Sequence, residues 1–491
     1  MYFLLCIVLS GCQMREAQVQ YTADWDSLRK HNAAPDWFRD AKFGIYFHWG
    51  VYTVPAFGDE WYPRNMHRKK DVDGTEYRHH VDTYGDPSTF GYHDFVPMFK
   101  AEKFNADQWA ELFEQAGARF AGPVAEHHDG FSMWDSEVTP WNAADMGPKR
   151  DTTGELAAAI RKRGMRFVTT FHHARNRTWY PRVQGWPTTS DDPKLQMLYG
   201  NMPEEKFNQL WLAKLIEVVD KYRPDLIWFD SNMDQIPDKY RTEFLAHYFN
   251  KADKWGKQVV VTYKEQCLDH EIGVEDFERG RENRITDFVW LTDDTISLGS
   301  WCYTHDLKIK STRYVLHMLI DIVSKNGQLL LNISPKADGT IPTNQRQVLL
   351  RIGDWLGKYG EAIYGTRPFI VFGEGPTRLK TGGEYAREKL LYKPQDIRFT
   401  TRGNTVYAIQ LGFPGIRRQT LLKSFSKKHR QQSLKIKSVT MLGSDEKIAW
   451  SLREDGLTVT SPLSPPDRMA VVYKIQTNGI EHFRTTPNPV N

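Results

Sequence analysis

Cysteine is scarce in this sequence, with four among 491 residues: Cys6, Cys12, Cys267 and Cys302. The first two lie in an apolar N-terminal stretch, and the other two lack the short spacing of a metal-binding pair. A fold held together by disulfides is therefore not expected. A strong charge of either sign is also missing, because 65 basic residues nearly balance 61 acidic ones, for a net charge of +4. This balance gives no reason to expect a nucleic-acid partner.

The N-terminal apolar run is too short to span a bilayer as a helix. It ends in Leu9-Ser10-Gly11-Cys12, which resembles the lipobox of a bacterial lipoprotein, although no Lys or Arg precedes it. Residues 1–12 are therefore predicted to be a lipoprotein-type signal peptide. The protein is expected to be exported to the periplasm or cell envelope, with membrane contact only through a lipid on Cys12.

Aromatic residues are plentiful, with 16 Trp and 22 Tyr. Each pairs a flat apolar ring with a polar edge, which suits stacking on the apolar faces of sugars. Core packing also uses such residues, so this composition favours a carbohydrate ligand without establishing one.

Short apolar runs alternate with segments of helical periodicity between about residues 42 and 365. Short, continuously apolar runs are typical of buried parallel strands. The runs cover residues 42–49, 119–128, 165–173, 225–230, 258–264 and 328–334. No glycine-rich phosphate loop follows the first strand, so the alternation predicts a TIM-like (β/α) barrel over residues 22–366 rather than a doubly wound sheet. The seventh and eighth strands are not evident, so an irregular barrel is expected.

From Arg367 the pattern changes to short alternating segments separated by Gly, Pro, Asn and Asp. The clearest cover residues 405–412, 434–443, 456–462 and 469–476. This pattern predicts an antiparallel β-sandwich over residues 367–475, followed by a polar tail over residues 476–491. The sandwich either binds carbohydrate or braces the barrel, and bracing is the simpler role.

Polar side chains end each predicted barrel strand. They are His48, His127 and His128, His172 and His173, Asp230, Lys264 and Asn332. The carboxyl ends of barrel strands share one face, where active sites of this fold lie. A single histidine there is as often structural as functional, but so many strand ends together favour a site.

Asp230 ends an apolar strand, so it is either a helix N-cap or a site residue. A carboxylate there can attack an anomeric carbon, and a second carboxyl group must then protonate the leaving oxygen. Glu275, Asp276, Glu278 and Glu282 are the candidates for that second group, and spacing alone does not choose among them.

Six ordered motifs resemble glycoside hydrolase family 29, the α-L-fucosidases, and together they cover roughly residues 25–475. They are residues 43–50 with Glu60-Trp61-Tyr62, residues 126–131 with 134–136, residues 224–230, residues 300–303, residues 332–335 with Asp338-Gly339, and residues 360–364. The resemblance implies a retaining, exo-acting enzyme that removes terminal α-L-fucose from oligosaccharides, polysaccharides or glycoproteins, with no metal or organic cofactor.

The resemblance also implies roles for individual residues. Asp230 becomes the nucleophile, and Glu278, in the segment Asp276-Phe277-Glu278, becomes the acid/base, with Glu282 as second choice. The implied fucose ligands are His48, Glu60, Trp61, His127 and His128. Fucose also presents a C5 methyl group, whose face Trp61, Trp228 or Trp301 would cover.

Two departures from the family pattern bear on these roles. Many members carry Asn-x-Arg after the fifth strand, where this chain has Thr262-Tyr263-Lys264; Lys264 supplies a charge without the two-pronged geometry of Arg. The acid/base region, residues 273–282, also diverges from the family pattern. Its Arg279 and Arg281 would oppose the raised pKa that a general acid needs.

Three alternative functions remain open from the sequence. A metal-dependent barrel hydrolase also gathers histidines at strand ends, but His48-Trp49-Gly50 is not the His-x-His that such sites use. A non-catalytic fucose-binding lipoprotein would keep the ligands and lose a carboxylate. An α-L-galactosidase would need room beside the C5 methyl position. Linkage preference and oligomeric state are left open.

Overall fold

The computed structural model of the chain describes residues 20–69, 75–385 and 390–484. The predicted signal segment with Cys12 lies outside these ranges, and so do residues 485–491 of the predicted tail. Among the described residues, no helix is long and apolar enough to cross a membrane. Cys267 and Cys302 are both free thiols.

Eight parallel strands form the first sheet. They are β1 (Phe43–Phe47), β2 (Phe120–Glu126), β3 (Arg166–Phe171), β4 (Leu226–Phe229), β5 (Val260–Tyr263), β6 (Val274–Glu275), β7 (Trp290–Thr295) and β8 (Gly327–Ile333). Their order is β6-β5-β4-β3-β2-β1-β8-β7. A parallel bridge from Asp276 to Leu291, just beyond β6, links the two outermost strands. The sheet is therefore a nearly closed barrel, which confirms the predicted TIM-like fold.

Helices connect most of these strands. They are α1 (Trp25–Leu28), α2 (Asp36–Ala41), α3 (Tyr62–Asn65), α4 (Thr75–Tyr84), α5 (Ala106–Gln115), α6 (Thr152–Lys162), α7 (Asn176–Trp179), α8 (Pro193–Tyr199), α9 (Glu204–Tyr222), α10 (Asp238–Lys254), α11 (Thr312–Ser324) and α12 (Thr343–Tyr359). Short 3₁₀ helices cover Val51–Thr53, Tyr92–Met98, His173–Arg175, Pro187–Thr189, Met233–Gln235, Gly360–Ala362, Lys423–Phe425 and Ile480–His482.

Side-chain caps fix where several of these helices begin. Asn105 accepts from the backbone N–H of Gln108 at the start of α5, and Ser311 accepts from that of Tyr314 at the start of α11. Each cap satisfies an N–H group that the helix cannot pair internally. The helices therefore begin at the polar residues that precede each apolar, helix-periodic segment.

Alternation along each barrel strand separates two apolar layers. In β1, Phe43, Ile45 and Phe47 pack with the surrounding helices, whereas Tyr46 belongs to the cluster inside the barrel. In β4, Trp228 belongs to the inner cluster. Because side chains two residues apart share a strand face, the residues two positions beyond Tyr46 and Trp228 also face inward, at the carboxyl end of the barrel.

The barrel is irregular where the sequence pattern is weakest. β6 has two residues, and no helix occurs in residues 264–289, all of which the structure describes. β7 contains the consecutive carboxylates Asp293 and Asp294, which interrupt its apolar character. These features explain why β6 and β7 are not evident from the sequence.

Gly327 is the first residue of β8 and does not form the left-handed turn that follows α11. Asn326 takes the left-handed conformation instead, with φ of 76°. A Cβ atom on Gly327 would lie 2.7 Å from the ring of Trp290, so the glycine permits close packing between β7 and β8. Asn tolerates this backbone region better than most residues.

Two antiparallel sheets follow the barrel, which confirms the predicted sandwich. Their strands are β9 (Arg367–Glu374), β10 (Ile397–Arg402), β11 (Thr405–Gln410), β12 (Gln419–Leu422), β13 (Ile436–Met441), β14 (Trp450–Arg453), β15 (Gly456–Thr460) and β16 (Val471–Thr477). The sheet orders are β13-β16-β11-β10-β9 and β12-β15-β14. Side chains of both sheets form a separate apolar core.

A buried ion cluster joins the two units. Asp321 on α11 accepts from Arg398 of β10 at 2.6 Å and from Lys325 at 2.8 Å. Arg281, three residues after Glu278, lies 4.0 Å from the same carboxylate. The sandwich is therefore linked to the loop that carries Glu278.

Candidate active site

The carboxyl ends of the barrel strands surround one cavity of about 530 Å³. Its lining includes all nine residues predicted from the sequence: His48, Glu60, Trp61, His127, His128, Trp228, Asp230, Glu278 and Trp301. A cavity of this size suits a small ligand. The strand topology thus brings together side chains separated by more than 200 positions in the chain.

Asp230 extends the pairing of β4 with β3 by one residue, since its N–H donates to Phe171 O at 3.0 Å. Its carboxylate faces the cavity, with Oδ1 3.1 Å from Lys264 Nζ and Oδ2 3.3 Å from His128 Nε2. The N-cap of α10 is Pro237, so Asp230 is not a helix cap. Burial favours a raised pKa for Asp230, but the Lys264 ammonium holds that pKa well below its ordinary value. The carboxylate is therefore ionised.

Glu278 shares the same ammonium, with Oε2 2.9 Å from Lys264 Nζ. The contacting oxygens of Asp230 and Glu278 are thus no further apart than the sum of the two distances to Nζ, about 6 Å. Glu275 and Glu282, the other glutamates considered, are not among the described residues that line the cavity.

The two arginines next to Glu278 do not share one environment. Arg279 lies over the ring of Trp301, 4.5 Å from its centroid, and donates to Gly299 O at 2.6 Å. Arg281 extends toward Asp321 in the buried ion cluster. Of these two arginines, only Arg279 lines the cavity.

Lys264 is itself buried, with 2% of its side chain exposed. Two further carboxylates stand behind it, Asp293 at 3.5 Å and Asp276 at 3.9 Å. Burial favours a lowered pKa for Lys264, but the carboxylates raise it well above its ordinary value, led by Asp293 and Glu278. The lysine is therefore a fixed positive charge.

Asp276 and Asp293 form a hydrogen-bonded pair beneath the cavity. The backbone N–H of Asp293 donates to Asp276 Oδ1 at 2.8 Å, and Trp228 Nε1 donates to Asp276 Oδ2 at 3.0 Å. Tyr46 OH donates to Asp293 Oδ2 at 2.8 Å. Burial raises the pKa of Asp276 well above its ordinary value, and that of Asp293 to about 6. The two aspartates hold the side chains of Trp228 and Lys264 in place through these contacts.

Three buried imidazoles form one wall: His48, His127 and His172. Burial lowers the pKa of His48 to about 3 and the pKa values of the other two well below the ordinary value, so all three are neutral. His48 Nδ1 lies 2.8 Å from Asn332 Oδ1, an acceptor, so its Nε2 is free to accept. The Nδ1 atoms of His127 and His172 have no partner among the described residues.

One nitrogen from each of these imidazoles lies within 4.8 Å of the others, so among the described residues this group is able to hold a metal ion. Neutral imidazoles equally suit the hydroxyl groups of a sugar, because each offers a donor and an acceptor. His173 points elsewhere and stacks on Trp211.

Glu60, Trp61 and Trp301 also line the cavity. Glu60 Oε2 accepts from the backbone N–H of Trp301 at 2.9 Å and from Ser300 Oγ at 3.2 Å. Burial, followed by the charge of Asp59, raises the pKa of Glu60 to about 7. Trp61 lies under the guanidinium of Arg175, which is 4.8 Å from its ring centroid.

Some lining residues are missed by the sequence patterns. Asp293 is not predicted as a site residue, because its strand β7 is too polar to be recognised from the sequence. The two consecutive carboxylates of β7, Asp293 and Asp294, are the signal that could have identified it. Tyr385 comes from the loop after β9, far along the chain, and nothing in its local sequence marks it. Lys264 is predicted from the sequence as a strand-end residue and as a departure from the family pattern, but the sequence assigns it no contact with two carboxylates.

A barrel whose mouth holds two adjacent carboxylates among neutral imidazoles and tryptophans is the arrangement of a glycoside hydrolase. The family model for alpha-L-fucosidase matches residues 8–361, and that for the alpha-L-fucosidase C-terminal domain matches residues 393–476. The chain belongs to the α-L-fucosidase family, glycoside hydrolase family 29, and is a fucose-releasing hydrolase.

Relatives with the same description match along almost the whole chain. Tissue alpha-L-fucosidase of Rattus norvegicus is 32% identical over 488 residues, covering 95% of this chain and 94% of the rat protein. The tissue alpha-L-fucosidase of Homo sapiens is 31% identical over 490 residues, covering 96% of this chain and 94% of the human protein. The crystal structure of Thermotoga maritima alpha-fucosidase in complex with fucose has a TM-score of 0.73 and 30% identity, covering 92% of this chain and 99% of that chain.

Proposed function

We propose that this enzyme is a retaining, exo-acting α-L-fucosidase that works by double displacement. Asp230 attacks the anomeric carbon, and Glu278 protonates the leaving oxygen and then activates water. The observation that carries this proposal is the shared contact of both carboxylates with Lys264, which limits the separation of their contacting oxygens to about 6 Å. Retaining enzymes hold their carboxyl groups about 5–5.5 Å apart, and inverting enzymes about 6.5–9.5 Å apart.

The charge states also support these roles. Lys264 keeps Asp230 ionised, which a nucleophile requires. Once Asp230 forms a covalent bond to the sugar, its negative charge is neutralised. Lys264 remains in contact with Glu278, which takes a proton from water in the second step.

Fucose binding is assigned to His48, Glu60, Trp61, His127, His128, Trp228 and Trp301. The imidazoles and the carboxylate suit the three hydroxyls of fucose, and the tryptophans suit its C5 methyl face. Burial of the lining supports exo action, because His48, His127, His172 and Trp228 are each at most 4% exposed. A pocket lined by side chains this buried suits a terminal sugar.

The test is hydrolysis of 4-nitrophenyl α-L-fucoside followed by proton NMR from the first seconds of the reaction. Initial release of α-L-fucose, before mutarotation, supports retention, and initial release of the β anomer contradicts it. The 4-nitrophenyl α-L-galactoside serves as the comparison substrate. For exo action, an oligosaccharide with terminal and internal fucose should lose only the terminal residue.

A further inference from the structure

The segment that follows β9 leaves the sandwich and lies along the loop that carries Glu278. We name residues 375–385 the strap. Arg281 N donates to Gly383 O at 3.3 Å, and Gly383 N donates to Arg281 O at 3.0 Å. Asn283 Nδ2 donates to Lys380 O at 3.1 Å. The strap is therefore joined to the loop that carries Glu278 by an isolated antiparallel bridge between Arg281 and Gly383.

Glycines on both sides make this close approach possible. A Cβ atom on Gly280 would lie 2.3 Å from Gly383 O, and one on Gly382 would lie 2.8 Å from Glu282 Oε2. Gly383 has a φ of 111°, a conformation that L side chains rarely adopt. The two backbones thus fit together only with glycine at these positions.

Tyr385 ends the strap at the cavity. Its backbone N–H donates to Glu278 O at 2.9 Å, and its side chain lines the cavity together with that of Glu278. Burial and then the charge of Glu278 raise the pKa of Tyr385, so the phenol stays protonated and is a donor. Tyr385 also has a φ of 50°. A non-glycine residue in this region is uncommon and often belongs to a functional site.

We propose that Tyr385 is a positioning residue that holds the Glu278 carboxylate toward the leaving-group oxygen, so that the sandwich domain supplies part of the active site. The inference rests on the proposed acid/base role of Glu278. Because the N–H of Tyr385 holds the backbone of Glu278, loss of the phenol hydroxyl leaves the loop in place and frees only the carboxylate. The step that is slowed is protonation of the leaving-group oxygen, which needs a well-placed proton on Glu278.

The experiment compares kcat/KM for 4-nitrophenyl α-L-fucoside, whose leaving group needs little protonation, with that for an α-L-fucosyl disaccharide, whose leaving group needs it. Tyr385→Phe is expected to lower the disaccharide-to-aryl ratio of kcat/KM about tenfold, mainly through kcat. Glu278→Gln should lower the ratio further. Lys380→Ala is the matched control, because its exposed side chain can be removed while its backbone carbonyl still accepts from Asn283.

The outcomes separate this inference from the proposed function. If Glu278→Gln lowers the ratio and Tyr385→Phe does not, the role of Tyr385 is overturned while that of Glu278 stands. If neither variant lowers it, the acid/base assignment fails and the inference with it. Gly383→Val is a second probe that displaces the strap and should lower the ratio in the same direction. An unchanged ratio in this variant also overturns the inference. Thermal unfolding midpoints verify that each variant is folded.

Discussion

The Nζ atom of Lys264 lies 3.1 Å from Asp230 Oδ1, and the same atom lies 2.9 Å from Glu278 Oε2. One buried ammonium thus holds both proposed catalytic carboxylates, with Asp276 and Asp293 also within 4.0 Å. Without a cation, carboxylates this close cannot all ionise. Lys264 therefore determines the charge and the spacing of the site.

Replacing Lys264 by Met should lower kcat/KM by at least about 100-fold, or about 2.7 kcal/mol of transition-state stabilisation. It should also destabilise the fold by about 3 kcal/mol, since buried carboxylates lose their partner. Kinetics with 4-nitrophenyl α-L-fucoside and urea unfolding measure the two effects. Lys257→Met is the control, because Lys257 pairs with Asp225, which immediately precedes β4 at the other end of the barrel. Equal activity losses in both variants would contradict the role given to Lys264.

His172→Phe should lower kcat/KM about tenfold, because the cavity wall loses a neutral hydrogen-bonding group that faces the sugar. His173→Phe is a matched control one residue away, since His173 stacks on Trp211 outside the cavity. It should change stability and leave KM unaltered. If His173→Phe raises KM and His172→Phe does not, the finding that His172 and not His173 faces the cavity would be contradicted.

Acid should destabilise the enzyme steeply below neutral pH. Burial lowers the pKa of His48 and His67 to about 3, and of His31, His173 and His317 to about 4, from an ordinary value of 6.5. Because these folded-state pKa values are depressed, the stability they contribute is fully present above about pH 6.5 and is lost as pH falls toward 4. Each histidine contributes up to about 1.4 kcal/mol per pH unit in that window.

Urea unfolding across this pH range tests the acid effect. His317→Leu should give a shallower dependence of unfolding free energy on pH than the wild type, whatever its stability at neutral pH. Parallel curves for the two proteins would show that His317 does not take up a proton on unfolding.

A strong chelator should leave activity unchanged. His48, His127 and His172 are able to hold a metal ion, but Lys264 already supplies positive charge to Asp230 and Glu278, and the imidazole nitrogens are assigned to sugar hydroxyls. Activity before and after treatment with EDTA is the measurement. Loss of activity that added Zn²⁺ restores would favour the metal-dependent alternative.

Much of the barrel was predictable because its strands are short apolar runs that end in polar residues. Asp230, His48 and Lys264 follow directly from that pattern, since strand ends share one face of a barrel. β6 and β7 were not predictable, because β6 has two residues and β7 carries two consecutive carboxylates, of which Asp293 joins the Asp276–Asp293 network and Asp294 pairs with Lys310. Polar groups buried for function remove the apolar signal that identifies a strand.

The choice of Glu278 over Glu282 came from family resemblance, since both stand on one loop and spacing does not separate them. In the structure the Glu278 carboxylate accepts a hydrogen bond from Lys264, whereas Glu282 lies beside the strap. Tyr385 lay beyond sequence reasoning because its position depends on pairing between segments about 100 residues apart, which no local pattern records.

The most direct test is the anomeric configuration of the fucosyl azide formed when azide restores turnover to Asp230→Gly. Without azide, this variant should lose at least about a thousandfold in kcat, since the nucleophile is gone. With azide and 4-nitrophenyl α-L-fucoside, Asp230→Gly should give the β-azide by a single inversion, and Glu278→Ala should give the α-azide through the intact intermediate. An α-azide from Asp230→Gly, or α-azide formation by Glu282→Ala and not by Glu278→Ala, would contradict the assignment of the two carboxylates.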